Sequence, residues 1–142
     1  MAQNKTVAWT SLTSEQQTLV NAAISSMEKA YAPYSQYKVG AAIQGENNKI
    51  YSGFNIENAS YGLTICAERT ALFNGVTAEQ THFKAIAIAT KNGGMPCGAC
   101  RQTLNEFSPD LLVIVTDKDK SNIEITTLSK LLPRSFGPKQ LS

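Results

Sequence analysis

Leu19, Val20, Ala23, Ile24 and Met27 recur at steps of three and four, the spacing that lays one apolar stripe along a helix. The preceding "TSEQ", Thr13 to Gln16, resembles a capping box, with Gln16 reaching back to the cap. The pattern predicts a helix from Thr13 to about Tyr31, stopped by Pro33. Two short β-type runs follow, "YKVGAAI" and "IYSGFNI", separated by the turn-forming "QGENNK"; they predict a hairpin. "CAERTALFNGV" returns to helical spacing, with Gly75 placed to help end it. "FKAIAIAT" and "LLVIVT" are nearly continuous apolar runs, the mark of strands buried on both faces. Between them "CGACRQTLNEF" predicts a helix stopped before Pro109. "NIEITT" reads as a further strand and "TLSKLLP" as a last short helix.

The order is α-β-β-α-β-α-β-β-α. Buried strands alternating with helices predict a three-layer α/β/α sandwich around a mixed sheet of about five strands. No linker, repeat or low-complexity tract divides the 142 residues, so residues 1–142 are expected to form a single domain, with residues 1–10 a loose arm.

Composition removes several classes of function. Hydrophobic content of 42% and charged content of 17% suit a globular chain with a core. A net charge of +2, with acids and bases interspersed, gives no basic stripe for nucleic acid. No segment is long enough to span a bilayer, and "MAQNKTVAWTSL" lacks the apolar run of a secretory signal. The expected compartment is the cytoplasm, where thiols stay reduced. Three cysteines cannot all pair within one chain, which leaves metal binding or burial.

Those three cysteines all fall at predicted helix starts. Cys97 and Cys100, spaced C-x-x-C across a first turn, can face one point, and Cys66 can supply a third sulfur from the preceding helix. Helix N-termini favour the thiolate. Zinc takes such ligands tetrahedrally, and three protein ligands leave a position open for chemistry. A buried or redox thiol pair is the plainer reading of the C-x-x-C alone. Glu68, in the same first turn as Cys66, either complements the helix N-terminus or moves protons beside the metal. His82, the only histidine, lies in "EQTHFK" with no second metal motif near it and reads as a surface or loop residue.

C-A-E at 66–68 followed by P-C-x-x-C at 96–100 resembles the signature of zinc-dependent nucleobase and nucleoside deaminases. "YSQYKVGAAI", "SGFNIENASYGLTICAERTAL", "PCGACRQTLNEF" and "LLPRSFGP" resemble the small homotetrameric cytidine deaminases, from about residue 13 to the C-terminus. The nucleic-acid-editing branch typically has H-x-E where this chain has Cys66, which favours a free nucleoside. The resemblance implies hydrolysis of cytidine and 2′-deoxycytidine to the uridines with release of ammonia, in pyrimidine salvage. Cys66, Cys97 and Cys100 would hold one zinc ion per subunit. Glu68 would be the proton shuttle for a zinc-bound hydroxide attacking C4, serving N3 and the leaving amine. Asn55 and Glu57 would bind the ribose 3′-hydroxyl, and the backbone of Ala67 and of the Met95–Pro96 segment would read the base. Tyr37 stands where the family has a phenylalanine packing on the pyrimidine, Lys38 where it commonly has proline, and Met95 where it often has serine. Arg69 would donate to ligand sulfurs and withdraw charge. Phe136 and Tyr61 would complete the site of a neighbouring subunit. The implied partners are a small nucleoside and further copies of the chain, with no nucleic acid or membrane. A structural zinc module, a nucleic-acid editor and a deaminase of an antibiotic or N4-modified cytidine are the rival readings.

Overall fold

The computed structural model describes residues 5–142, and the chain departs at once from the expected loose arm. Lys5–Val7 form strand β1, paired antiparallel with Ile123–Ile125. That edge would otherwise present unpaired backbone groups to solvent. Trp9 then opens a short 3-10 turn and packs against the apolar core, with the Lys120 ammonium 4.3 Å above its ring. Residues 1–4, the rest of the expected arm, lie outside the described residues.

The capping box at Thr13 forms as its sequence predicts. The Thr13 hydroxyl accepts the Gln16 backbone N–H at 3.1 Å, and the Gln16 side-chain oxygen accepts the N–H of Thr13 at 3.0 Å. Helix α1 runs Ser14–Glu28 and ends short of Tyr31. The reason is tertiary: the Tyr31 N–H donates to Asn55 O at 3.0 Å, and Tyr31 O accepts from the Glu57 N–H at 2.9 Å. Strands β2 (Gly40–Gly45) and β3 (Ile50–Phe54) make the predicted hairpin, turning through Asn48 at φ 69°. Helix α2 (Ala67–Thr77) runs past Gly75 instead of ending there. Gly75 faces the Phe83 ring, where a Cβ would lie 2.7 Å from a ring carbon. Then come β4 (Phe83–Thr90), α3 (Gly98–Phe107), β5 (Leu112–Asp117), β6 (Ile123–Thr127) and the short α4 (Leu128–Leu131).

Among the described residues the sheet has six strands where about five were expected, in the order β1-β6-β5-β4-β2-β3. The strand the sequence concealed is β1. Among these strands only β4 and β5, joined through α3, run parallel; the remaining pairs are antiparallel. Ala42, Ala85, Ala87 and Ile114 meet α1 on one face. Ala41, Ile43, Ile86, Ile88 and Val113 meet α2 and α3 on the other. This side alternation on double-buried strands makes the predicted three layers. Two glycines allow the layers to touch backbone to backbone. A Cβ on Gly40 would lie 2.1 Å from Ala23 O in α1, and one on Gly53 would lie 2.3 Å from Ala71 N in α2. No helix among the described residues is long and apolar enough to cross a membrane.

Candidate active site

Both cysteine motifs begin at helix N-termini. Cys66 is the N-cap of α2 and Cys97 the N-cap of α3, each with extended backbone and no side-chain capping bond. Their sulfurs are therefore not spent on the helix ends. Cys100 follows within the first turn of α3 and is buried. The three Sγ atoms lie within 4.8 Å of one another, and those of Cys66 and Cys97 are 3.9 Å apart. A tetrahedral zinc with sulfurs about 2.3 Å away sets its ligands about 3.8 Å from each other. The three cysteines fit such an ion, and no disulfide joins them.

The charges around this trio are mutually set. A hydrogen bond from Cys100, and then Arg69, brings the Cys66 thiol down to about 5, while Cys100 is pushed well up by the bond it makes to Cys66. Arg69 Nη2 donates to Cys66 Sγ at 3.3 Å, and that bond raises the guanidinium still further. Arg69 Nε is buried and makes no hydrogen bond among the described residues. Glu68, one residue into α2, is only 5% exposed. Burial lifts its carboxyl to about 7, and the neighbouring Cys66 thiolate adds to the effect.

A cavity of about 320 Å³ opens onto this cluster. Cys66, Ala67, Glu68 and Cys97 line it, together with Tyr37, Asn55, Glu57 and Met95. Asn55 and Glu57 belong to a hydrogen-bonded rim. Asn55 Oδ1 accepts the Val39 N–H at 2.9 Å, and its Nδ2 donates to Tyr37 O at 2.8 Å. Glu57 accepts the N–H groups of Tyr34 at 2.9 Å and Ser35 at 3.1 Å, together with the Ser35 hydroxyl. The hydroxyl first, then the two amides, holds its carboxyl below the usual range. The Tyr37 hydroxyl donates to Asn92 Oδ1 at 3.0 Å, tying the rim to the loop before Cys97.

Two expected site residues stand apart within one chain. Tyr61 is 74% exposed, its ring tilted against that of Tyr34 with centroids 5.8 Å apart, and lines an adjoining cavity shared with Ser35 and Glu57. Phe136 is exposed and does not line the main cavity; its carbonyl accepts from Gln102 and Asn105 at 2.9 and 3.2 Å. His82 is exposed beside Thr81, away from the cysteines. Sequence reasoning missed Arg101, whose Nε donates to Pro96 O at 2.7 Å and Nη1 to Leu131 O at 2.9 Å. It pins the loop that carries Cys97. Its adjacency to Cys100 was the one available signal; Leu131 is too remote in sequence to give another. Ser35 and Thr90 were missed too, although strand alternation from Ile88 puts Thr90 on the cavity face.

Three clustered thiols beside a buried carboxyl, on a helix-flanked sheet, suit a metal site with an acid–base group at its side. The family model "Cytidine and deoxycytidylate deaminase zinc-binding region" matches residues 13–116, and the chain belongs to that family. It is 46% identical over 117 residues to the cytidine deaminase of Sporosarcina psychrophila, covering 81% of this chain and 86% of that one. It is 42% identical over 130 residues to the cytidine deaminase of Halalkalibacterium halodurans, covering 90% and 98%. The crystal structure of cytidine deaminase from Burkholderia pseudomallei superposes with a TM-score of 0.81 at 44% identity, over 88% of this chain and 100% of that one.

Proposed function

We propose that the chain deaminates cytidine and 2′-deoxycytidine to uridine and 2′-deoxyuridine, water replacing the 4-amino group as ammonia, in cytoplasmic pyrimidine salvage. The observation that carries this is the buried Glu68 carboxyl beside three converging cysteine sulfurs at a nucleoside-sized cavity. Cys66, Cys97 and Cys100 would hold zinc, which when bound supplies Lewis acidity toward a water molecule. Glu68 takes a proton from the attacking water and delivers protons to N3 and then to the departing amine. A carboxyl balanced near neutrality can both accept and return a proton at physiological pH. Arg69 withdraws charge from the sulfurs. The N–H of Ala67 and the backbone at Met95–Pro96 orient the base, and the Tyr37 ring packs on it. Asn55 and the ionised Glu57 take the 3′-hydroxyl; each retains hydrogen-bonding capacity beyond its rim contacts. No lysine or arginine is among the described residues lining the cavity, which favours a nucleoside over a nucleotide, whose phosphate calls for cations.

A substrate panel tests the reading. Ultraviolet-monitored turnover is expected with cytidine and deoxycytidine, and only weakly with cytosine, cytidine monophosphate and N4-substituted cytidines. Cytosine turning over as well as cytidine would remove the role of Asn55 and Glu57.

The single 1–142 domain is proposed to assemble as a homotetramer, with Tyr61 and Phe136 entering a neighbour's site. Exposed Tyr31, Tyr34, Tyr61, Leu63 and Phe136 supply apolar surface for that contact. Diluting the protein while following sedimentation and turnover together should show activity falling with the assembly, and Phe136→Ala should raise KM. Full activity in a proven monomer refutes the shared site.

A further inference from the structure

Thr90 closes strand β4 at the cavity wall, and its hydroxyl has nothing to bond. The residue is 3% exposed, and its Oγ1 is buried with no hydrogen-bond partner among the described residues. Ile88, two residues earlier on the same strand face, lines the same cavity. The side chain is thereby aimed to the side on which Glu68 and Cys66 lie. The adjacent strand shows what a satisfied threonine looks like here: Thr116 Oγ1 donates to Asp117 O at 2.8 Å. Gly94 stands beside Thr90 on the cavity wall: a Cβ added there would lie 4.0 Å from Thr90 Oγ1 and 3.5 Å from the Tyr37 hydroxyl.

An unpaired buried hydroxyl destabilises the free protein, and valine fills the same volume without that cost. A threonine retained at a cavity wall under those terms gains its bond when something polar enters. We propose that Thr90 is a specificity-determining residue of this site, whose hydroxyl hydrogen-bonds the polar edge of the substrate's base. A hydroxyl both donates and accepts. It can therefore meet the amine of a cytosine ring as acceptor and the carbonyl of a uracil ring as donor, by rotating about one bond. The inference rests on the nucleoside-deaminase reading and adds to it a side-chain contact that neither the cysteine motifs nor the sugar-side residues supply.

Thr90→Val and Thr90→Ser, measured beside wild type for cytidine turnover and for melting temperature without ligand, test this. Thr90→Val should lower kcat/KM about five- to tenfold, chiefly through KM, the size expected for one lost hydrogen bond. Its melting temperature should equal or exceed that of wild type, since an orphan polar group has gone. Thr90→Ser, which keeps the hydroxyl, should restore turnover. Wild-type kinetics in Thr90→Val overturn the proposal, leaving the hydroxyl a packing defect. So does a loss of turnover that follows a loss of melting temperature, or one equally deep in Thr90→Ser. Wild type failing on every nucleoside strikes the deaminase reading and this inference with it, whereas a silent Thr90→Val in an active background strikes this inference alone.

Discussion

Glu68→Gln should lower kcat by about 10²- to 10⁴-fold, the range for removing a positioned general acid–base group. The amide is nearly isosteric with the carboxyl, so the cavity keeps its shape and a nucleoside should still bind. On the proposed mechanism the substitution removes only the capacity to take a proton and return it. Glu68 is also buried beside Cys66, so the neutral amide relieves an unfavourable interaction instead of creating one. The melting temperature should stay level or rise while turnover collapses. Zinc content should be unchanged, because the three sulfurs are untouched. Substantial turnover in Glu68→Gln, with full zinc, would assign the proton work to another group. Collapse of turnover together with zinc loss would mean that the residue holds the metal site in shape and does no chemistry.

Glu68 is also where the sequence speaks most plainly. The C-A-E spacing places a carboxyl in the first turn after a cysteine at the helix start, and the chain folds to that arrangement. Helix starts are encoded locally, through cap chemistry at Thr13 and through the onset of helical periodicity after Cys66 and Cys97, so all three could be read from short windows. What escaped depends on partners distant in sequence. Strand β1 exists because β6 leaves a free edge, and nothing in "KTV" alone announces that. The end of α1 is set by Tyr31 pairing with Asn55 and Glu57. Gly75 read as a helix stop, yet it serves the close packing of Phe83 within the helix. The rim was half legible: "FNIEN" pointed to Asn55 and Glu57, but Ser35 as the group engaging Glu57, and Asn92 as the tether of Tyr37, are visible only once the chain is folded.

The second large effect lies with the sulfurs and the guanidinium beside them. Cys97→Ser should reduce bound zinc from about one per chain to a small fraction, and turnover in proportion, because a hydroxyl is a poor substitute for thiolate in a site of this kind. The fold should survive, with far-ultraviolet circular dichroism unchanged. Both apolar cores are built from residues of the sheet and helices, and Cys97 sits exposed at a helix cap. Arg69→Ala separates charge from ligation. Three thiolates would over-neutralise a bound divalent ion, and the Arg69 guanidinium, with Nη2 3.3 Å from Cys66 Sγ, is the positive group proposed to draw part of that charge back. With all cysteines kept, the variant should lose about 10- to 100-fold in zinc affinity or turnover, the usual scale for groups that support metal ligands from behind. Arg69→Lys should recover little, since a lysine ammonium cannot reproduce a planar fork with a second buried N–H on offer. Titration with a chelator, read by both zinc release and activity, distinguishes the two variants: Cys97→Ser should have almost no metal to release, and Arg69→Ala should release it at lower chelator concentration than wild type. Undiminished zinc and turnover in Cys97→Ser would show that these sulfurs are bystanders, and the chemistry assigned to the cavity would have to be sought elsewhere.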